Sequence, residues 1–393
     1  MAKLIEITGK ALTGEWGTDD ETGNGVPVLR TTNFTNEGVV DYTNVVTRTI
    51  IKKNIDEKYL RKGDIIIEKS GGSDKFPVGR VIYFDSDENT YLFNNFTGLL
   101  RVKNQDSWYP RYVFYSLFAN YKYGGTRAFE NKTTGLHNLK TDDYVSRYEI
   151  AEIDKKEQIL ICEKLDRLFD LIKSRKHELQ LLDNLIKARF VEMFGDENNS
   201  KNWNMVKIED VANVQVGVVI KPSQYYTDKE NGVKAFRSLN IGEGFIKDID
   251  WVYFTKEGHQ KNSKSILKEN DLLIVRSGAP GTSCIVTKEY EGCNAIDIII
   301  AHPNCDKVNS YYLCTFTNMP HGKRQIDEGT GGAAQQHFNI GKYNKLQLIL
   351  PPIELQNQFA DFVVQVDKSK VAVKKALDET QLLFDSLMQQ YFG

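Results

Sequence analysis

Nothing in the 393-residue chain approaches the roughly 18 uninterrupted apolar residues of a membrane-spanning helix. The opening run MAKLIEITGK has neither the apolar core nor the small-residue cleavage site of a secretory signal, so a cytoplasmic location is expected. Cysteine is scarce. The five thiols, Cys162, Cys284, Cys293, Cys305 and Cys314, form no Cys-x-x-Cys pair, and the six histidines form no His-x-x-x-His pair. Zinc draws on closely spaced ligands. No metal site is therefore expected, and the cysteines read as reduced, buried thiols.

Signatures of catalysis are missing too. No Gly-x-Gly-x-x-Gly fingerprint follows a strand pattern, and the run Gly329 to Gly332 is not followed by Gly-Lys-Ser/Thr. The one Pro-Pro dipeptide, Pro351-Pro352, precedes Ile353, where an amino-methyltransferase needs an aromatic against the flipped base. Asp143 and Asp154-Lys155-Lys156 have the acid–base texture of a nuclease cluster, but they sit where a helix begins, and capping accounts for them. A stand-alone DNA methyltransferase or nuclease stays as one alternative, and a coiled-coil interaction scaffold as another. The net charge is −2 and the pI about 6.4, without the basic excess of a protein that coats nucleic acid. A local basic surface is still allowed, because distribution matters more than the sum.

What the chain has is repetition. VLRTTNF (Val28 to Phe34) returns as AFRSLNI (Ala235 to Ile241), and KGDIIIEKSGG (Lys62 to Gly72) returns as ENDLLIVRSGA (Glu269 to Ala279). Both pairs keep one offset of 207 positions, Arg30 to Arg237 and Ser70 to Ser277. Each copy ends in a long Gly-free stretch, closing at Met193-Phe194-Gly195 and at Tyr391-Phe392-Gly393.

Residues 1 to about 150 read as β-rich, mixed structure. Lys62-Gly63-Asp64 is a turn and Ile65-Ile66-Ile67 a buried strand, with further strands expected over Val78 to Phe84 and Tyr91 to Val102. Tyr109 to Tyr121 reads as a short helix after Pro110, and Gly124 to Leu139 as a Gly/Thr/Asn-rich loop. Asp154 to Glu157 then has the form of a capping box.

A heptad seam follows at Leu165, Leu168, Ile172, Leu179, Leu182, Ile186 and Met193, interrupted by Arg175 and Arg189. Trp203 to Val219 opens the second copy, and Pro351-Pro352 starts its closing helix with proline at the first helical position. The seam returns in the same frame at Val363, Val366, Val373, Leu377, Phe384, Leu387 and Tyr391, with Lys370 and Thr380 as its polar interruptions. Two seams of equal length and frame most simply pair with each other. The fold expected is α+β: two tandem mixed α/β domains, 1–152 and 196–350, separated by long helices over 153–195 and 351–393 that form an antiparallel intramolecular coiled coil.

Duplicated modules held by such a pair carry an approximate two-fold axis, as duplex DNA does. The first module offers Lys69, Ser70, Lys75 and Arg80 around its Ser-Gly-Gly turn, and Arg127, Lys132, Thr133, Thr134, His137 and Asn138 in its late loop. The second offers Arg276 and Ser277 at the equivalent turn, then Lys323, Arg324, Gln335, Gln336 and His337. Lysine and arginine meet phosphates; Asn, Gln, Ser, Thr and Arg hydrogen-bond to base edges. Any one of these is by itself an ordinary solvated side chain. Their recurrence at corresponding points singles the sets out. Arg30, beside Thr32, and Arg237 also correspond, and read equally as DNA contacts or as internal partners.

In their order and duplication these motifs resemble the specificity subunit of type I restriction-modification systems. The residues that carry the resemblance are Gly14 to Asp20 leading to PVLRTTNFTNEG (Pro27 to Gly38), KGDIIIEKSGGS, Met193 to Asp196 followed by Trp203, LPPIELQNQF (Leu350 to Phe359) and LLFDSLMQQYFG (Leu382 to Gly393). It departs in the first linker, Glu152 to Gln158, which lacks the double proline. The resemblance implies two target-recognition domains, each reading one half of a bipartite double-stranded DNA site. It implies paired helices that dock methyltransferase (modification) subunits, two of them, and a restriction translocase subunit. It implies no cofactor and no catalysis in this chain, with S-adenosylmethionine bound by the partner and adenine methylated at N6.

Overall fold

The computed structural model describes residues 1–52, 55–87, 89–133, 136–330 and 338–393, by backbone alone at 132–133 and 329–330. It divides into two compact units: Met1–Arg175 with Lys375–Gly393, and Lys176–Lys374. The division runs through both long helices, so each unit holds a globular part and a segment of each helix.

Unit 1 is built on an antiparallel sheet in the order Leu12–Thr13, Thr97–Leu100, Ile65–Glu68, Val81–Tyr83. Ile65 to Ile67 of its inner strand are apolar without alternation because both faces are covered. Ile65 and Ile67 enter the core formed with the helix Pro110–Lys122 and the long helices, whereas Ile66 enters a second core with Leu29, Phe34 and Phe93. A second sheet, in the order Thr18–Asp19, Val46–Thr49, Val26–Leu29, Leu92–Phe93, ends in a parallel pair. Unit 2 repeats the plan. Ala212–Val216, Ile298–Pro303, Leu272–Val275 and Ser283–Ile285 form one sheet, with Leu272 and Ile274 on one core and Leu273 and Val275 on the other. Its second sheet also ends in a parallel pair, Val233–Phe236 with Asn294–Ala295.

The long helices span Lys155–Phe194 and Ile353–Phe392, 40 residues and about 60 Å each. They pair antiparallel within each unit. In unit 1, Leu165 and Ile172 share a core with Phe384 and Met388; in unit 2, Ile186 and Phe190 share one with Phe359, Val363 and Val366. Leu168, Leu182, Leu377 and Leu387 pack partly buried on these cores, and Leu179 and Val373 are half-buried. The polar interruptions are answered across the pair: Arg175 donates to the Ala376 carbonyl and the Thr380 hydroxyl, and Lys370 lies 2.7 Å from Asp183, with Asp367 of its own helix at 3.2 Å. Arg189 meets Glu192 on its own helix at 2.8 Å and lies 5.8 Å from the ring centre of Phe362 on the other.

Asp154 caps the first helix, accepting from the Lys156 amide at 2.8 Å. Gly195, at φ +90°, ends it: its amide bonds the Val191 carbonyl at 2.8 Å, and the Trp203 indole covers the Phe194 carbonyl at 3.1 Å. The second helix begins at Ile353, so Pro352 is its cap and not its first helical residue; the Pro352 carbonyl accepts from Leu355 and Gln356.

Two expectations for unit 1 need correcting. The segment Gly124 to Leu139 is not a plain loop: a 3-10 turn, Gly125–Phe129, leads into a hairpin of Glu130–Thr133 and Leu136–Leu139. That hairpin pairs with the distant strand Ser70–Gly72, an interaction local sequence pattern does not report. The run Tyr91 to Val102 is two strands, Leu92–Phe93 and Thr97–Leu100, broken by a turn that the Thr97 amide closes on the Asn94 carbonyl at 3.1 Å. Among the described residues no helix is long and apolar enough to cross a membrane.

Candidate nucleic-acid interface

The repeated arginines sit on a duplicated corner. The Arg30 amide donates to Asn33 Oδ1 at 2.9 Å, and the Arg237 amide to Asn240 Oδ1 at 2.9 Å. Both asparagines are buried and bond a returning chain, Asn33 to the Asp41 and Asn44 carbonyls, Asn240 to those of Lys247 and Ile249. Each guanidinium then reaches a carbonyl on that chain: Arg30 to Asn44 at 3.4 Å, Arg237 to Asp250. Their partners are therefore backbone oxygens. Each is half-buried, and Thr32, two residues after Arg30, is exposed.

In unit 1 the hairpin brings the two predicted sets together, with Ser70 opposite Asn138 and Gly72 opposite His137. His137 is buried, its Nδ1 3.0 Å from Glu130 and its Nε2 3.5 Å from Asp74. Arg127 donates to the Asp74 and Lys75 carbonyls at 3.2 and 3.4 Å. Arg80 is held inward: it donates to the Phe34 and Thr31 carbonyls at 2.8 and 2.9 Å and pairs with Glu68 at 3.2 Å. Burial pushes the Glu68 carboxyl above its ordinary value, with Arg80 pulling the other way. Burial also draws the Lys69 ammonium, 3.5 Å from Thr13 Oγ1, below the usual lysine value. Lys75 is exposed, its ammonium 5.2 Å from the Phe76 ring centre. Lys132 lies opposite His137 in the hairpin backbone, and Thr134 falls outside the described residues.

In unit 2 the equivalent cations have acid partners. Arg276 pairs with Asp297 and donates to the Phe338 carbonyl at 3.2 Å, and Ser277 beside it is half-buried. Lys323 and Arg324 lie on a helix, Pro320–Thr330, and not in a loop. Lys323 pairs with Glu243, and Arg324 with Glu197 at 2.6 Å. Gln335, Gln336 and His337 fall outside the described residues.

Sequence reasoning missed a duplicated pair of glutamines. Gln158 and Gln356 are 1% and 0% exposed. The Gln158 amide accepts from the Tyr109 N–H at 2.8 Å and donates to the Ser107 and Ile153 carbonyls at 2.9 and 3.0 Å. Gln356 does the same for Asn309, Lys307 and Pro351 at 2.9, 3.3 and 2.8 Å. Each locks the start of a long helix to the start of the globular helix beside it, Pro110–Lys122 or Ser310–Asn318. The signal was present: the two glutamines share the frame of the heptad seams.

The units differ where the globular helix meets the long ones. In unit 1 the Arg111 guanidinium lies 4.7, 4.9 and 4.8 Å from the ring centres of Tyr83, Phe114 and Tyr115 and bonds Asp166 at 2.8 Å. In unit 2 the corresponding residues are Tyr311, Ile285, Cys314 and Thr315, and they line a cavity of about 460 Å³ with Asn318, Phe245 and Asp367.

The seam residues face one another, but other apolar side chains of the long helices face solvent: Leu171, Leu181 and Leu185 on the first, Val371, Leu382 and Leu383 on the second.

Comparison with known proteins gives a consistent result. The family described as "Type I restriction modification DNA specificity domain" matches residues 3–184 and 200–380. The specificity subunit of type I restriction enzyme EcoBI from Escherichia coli is 20% identical over 353 residues, 81% of this chain and 73% of that protein. The StySPI specificity subunit from Salmonella potsdam is 23% identical over 394 aligned positions, 93% of this chain and 81% of that protein. Among solved structures, the type I restriction-modification S subunit from M. genitalium superposes with a TM-score of 0.57 at 15% identity, covering 100% of this chain and 95% of that one. A chain from a study of complex assembly and conformational transition in a type I R-M system gives 0.54 at 14%, covering 100% and 96%.

Proposed function

Because the chain belongs to the family of type I restriction-modification DNA specificity domains, a DNA-recognition family, we propose that it is the non-catalytic reading subunit of such a complex, with each unit reading one half of a bipartite, asymmetric target. The observation that carries this is a duplicated frame bearing unlike loops. The Arg30 and Arg237 corners and the Gln158 and Gln356 locks are the same, whereas the turn Ser70 to Val78 and the turn Ser277 to Thr282 differ in length and side chains. Two copies of one fold with one reading surface would call for a palindrome; two with different surfaces call for unlike half-sites.

In unit 1, Lys69, Lys75 and Arg127 meet phosphates, which fix position without carrying sequence, while Thr32, Ser70 and the hairpin read base edges. In unit 2, Arg276 and Ser277 occupy the matching turn, Lys323 and Arg324 lie on the adjoining helix, and Arg237 stands at the corner. Such a module buries roughly 600 to 1,000 Å² against DNA.

The long helices dock two methyltransferase subunits and a restriction translocase subunit. Solvent-facing Leu171, Leu181, Leu185, Leu382 and Leu383 support this, since apolar surface on a helix face already paired along its seam is suited to burial by a partner. S-adenosylmethionine is bound by the methyltransferase, which moves a methyl group to adenine N6; this chain supplies the address, in the cytoplasm.

The test is methyl transfer from labelled S-adenosylmethionine to host DNA by the purified methyltransferase, with and without this chain. Transfer that requires the chain and saturates at a small number of sites supports the reading. Equal transfer without it, or none with it, contradicts it.

A further inference from the structure

Phe76 leaves 54% of its surface in solvent at the tip of the loop from Gly72 to Val78. A single exposed aromatic is ordinary on a protein surface. What holds this one is not. The Ser73 amide bonds the Phe76 carbonyl at 2.7 Å, and the Phe76 amide bonds Ser73 Oγ at 3.2 Å, closing the tip. The far end is fixed by the Val78 amide on Glu130 Oε1 at 3.0 Å. Arg127 ties down the carbonyls of Asp74 and Lys75, and His137 bridges Asp74 and Glu130. The His137 and Glu130 side chains are 6% and 3% exposed, so the scaffold is a buried polar network under an exposed tip. The ends of the loop approach so closely that a Cβ on Gly72 would stand 2.6 Å from the Val78 nitrogen.

A rigid tip loses little conformational freedom on binding. The side chains it presents are an aromatic ring and a lysine stacked on it, the pair that single bases and phosphates accept. The matching turn of unit 2, Gly278 to Thr282, carries Ala279 and Pro280 and neither an aromatic nor a cation. The device therefore belongs to one unit.

Resting on the DNA-reading role above, we propose that Phe76 is a stacking wedge. Its ring enters the base stack of the half-site read by unit 1, beside an opened step, while Lys75 takes the flanking phosphate. Apolar side chains inserted between base steps unstack them, and the cost depends on the step, so the wedge contributes selectivity without a hydrogen bond to a base.

The experiment uses the full chain assembled with its methyltransferase and duplexes carrying 2-aminopurine at successive positions of the mapped half-sites. Apart from the target adenine that the methyltransferase flips in each half-site, the wild-type complex is expected to raise the fluorescence at one further step of a single half-site. Phe76→Ala is expected to abolish that rise and to weaken binding at that half-site by about tenfold or more, and Phe76→Trp to retain both. Thermal unfolding should not change, since the ring is exposed. Fluorescence that persists at that further step in Phe76→Ala, or an equal loss on unrelated DNA, overturns the wedge and leaves the DNA-reading role intact. So does loss of co-purification with the methyltransferase, which would place Phe76 on a protein interface. A wild-type complex without sequence preference overturns the DNA-reading role, and the wedge with it.

Discussion

Where the globular helix meets the long helices, unit 1 encloses Arg111 in three rings and a carboxylate, and unit 2 leaves about 460 Å³ open. A few residues away the units are alike almost atom for atom: Gln158 and Gln356 make the same three backbone bonds, and the amides of Arg61 and Lys268 both donate to an aspartate three residues on, at 2.7 Å. The contrast teaches what duplication preserves. Groups that satisfy buried backbone cannot be exchanged singly without orphaning a donor or acceptor. Groups that fill space or face solvent drift.

The comparison breaks most visibly at the glutamines. Gln158→Leu and Gln356→Leu each strand three backbone groups, and each should cost about 2–4 kcal/mol by denaturant unfolding. Hydrogen exchange should rise at Tyr109 in the first variant and at Asn309 in the second. Loss from only one variant would mean the two locks are alike in geometry and unlike in weight.

A smaller effect is expected at Arg276→Ala. Its pair with Asp297 is partly solvated and so adds little; the bond to Phe338 adds about 1 kcal/mol. Methylation of the cognate target should weaken, and base changes in one half-site, not the other, should cost the variant less than they cost the wild-type chain. Equal weakening at unrelated targets would remove Arg276 from base reading.

Smaller still is the pH slope that Glu68 gives unit 1. Burial raises the folded-state value of Glu68, so the folded chain binds its proton at higher pH than the unfolded chain does. The stability so gained is present at low pH and is lost as pH rises from the ordinary carboxylate value through the raised one. Unit 2 carries Val275 at that place. Glu68→Gln should flatten the melting temperature against pH above the ordinary carboxylate value. An unchanged slope would assign it elsewhere. The mildest effect is chemical: a thiol reagent should label Cys305 alone in the native protein, since burial pushes Cys293 up to about 11 and Cys314 to about 12, and Cys162 and Cys284 are buried as well. Labelling of Cys314 would show that the cavity in unit 2 opens.

Much of this fold was legible because its signals are periodic. The seams, the Ile65 to Ile67 strand and the offset of 207 need only neighbours and repeats to be read. The hairpin at Glu130 to Leu139 was hidden, because its support comes from Ser70 to Gly72, far away in the chain. The site was less legible for the same reason. Arg80 finds Glu68, Arg276 finds Asp297 and Arg324 finds Glu197, and no local pattern says which arginine has an acid waiting. Gln158 and Gln356 look like solvated residues of a helix start until the fold buries them.

The central claim is that two copies of one frame read two unlike half-sites. The most direct measurement is a modified-base map of host DNA with and without this chain, the methyltransferase being present in both. The account expects the chain to add methylation at one split motif whose two halves differ. A continuous or palindromic motif, or an unchanged map, would contradict it.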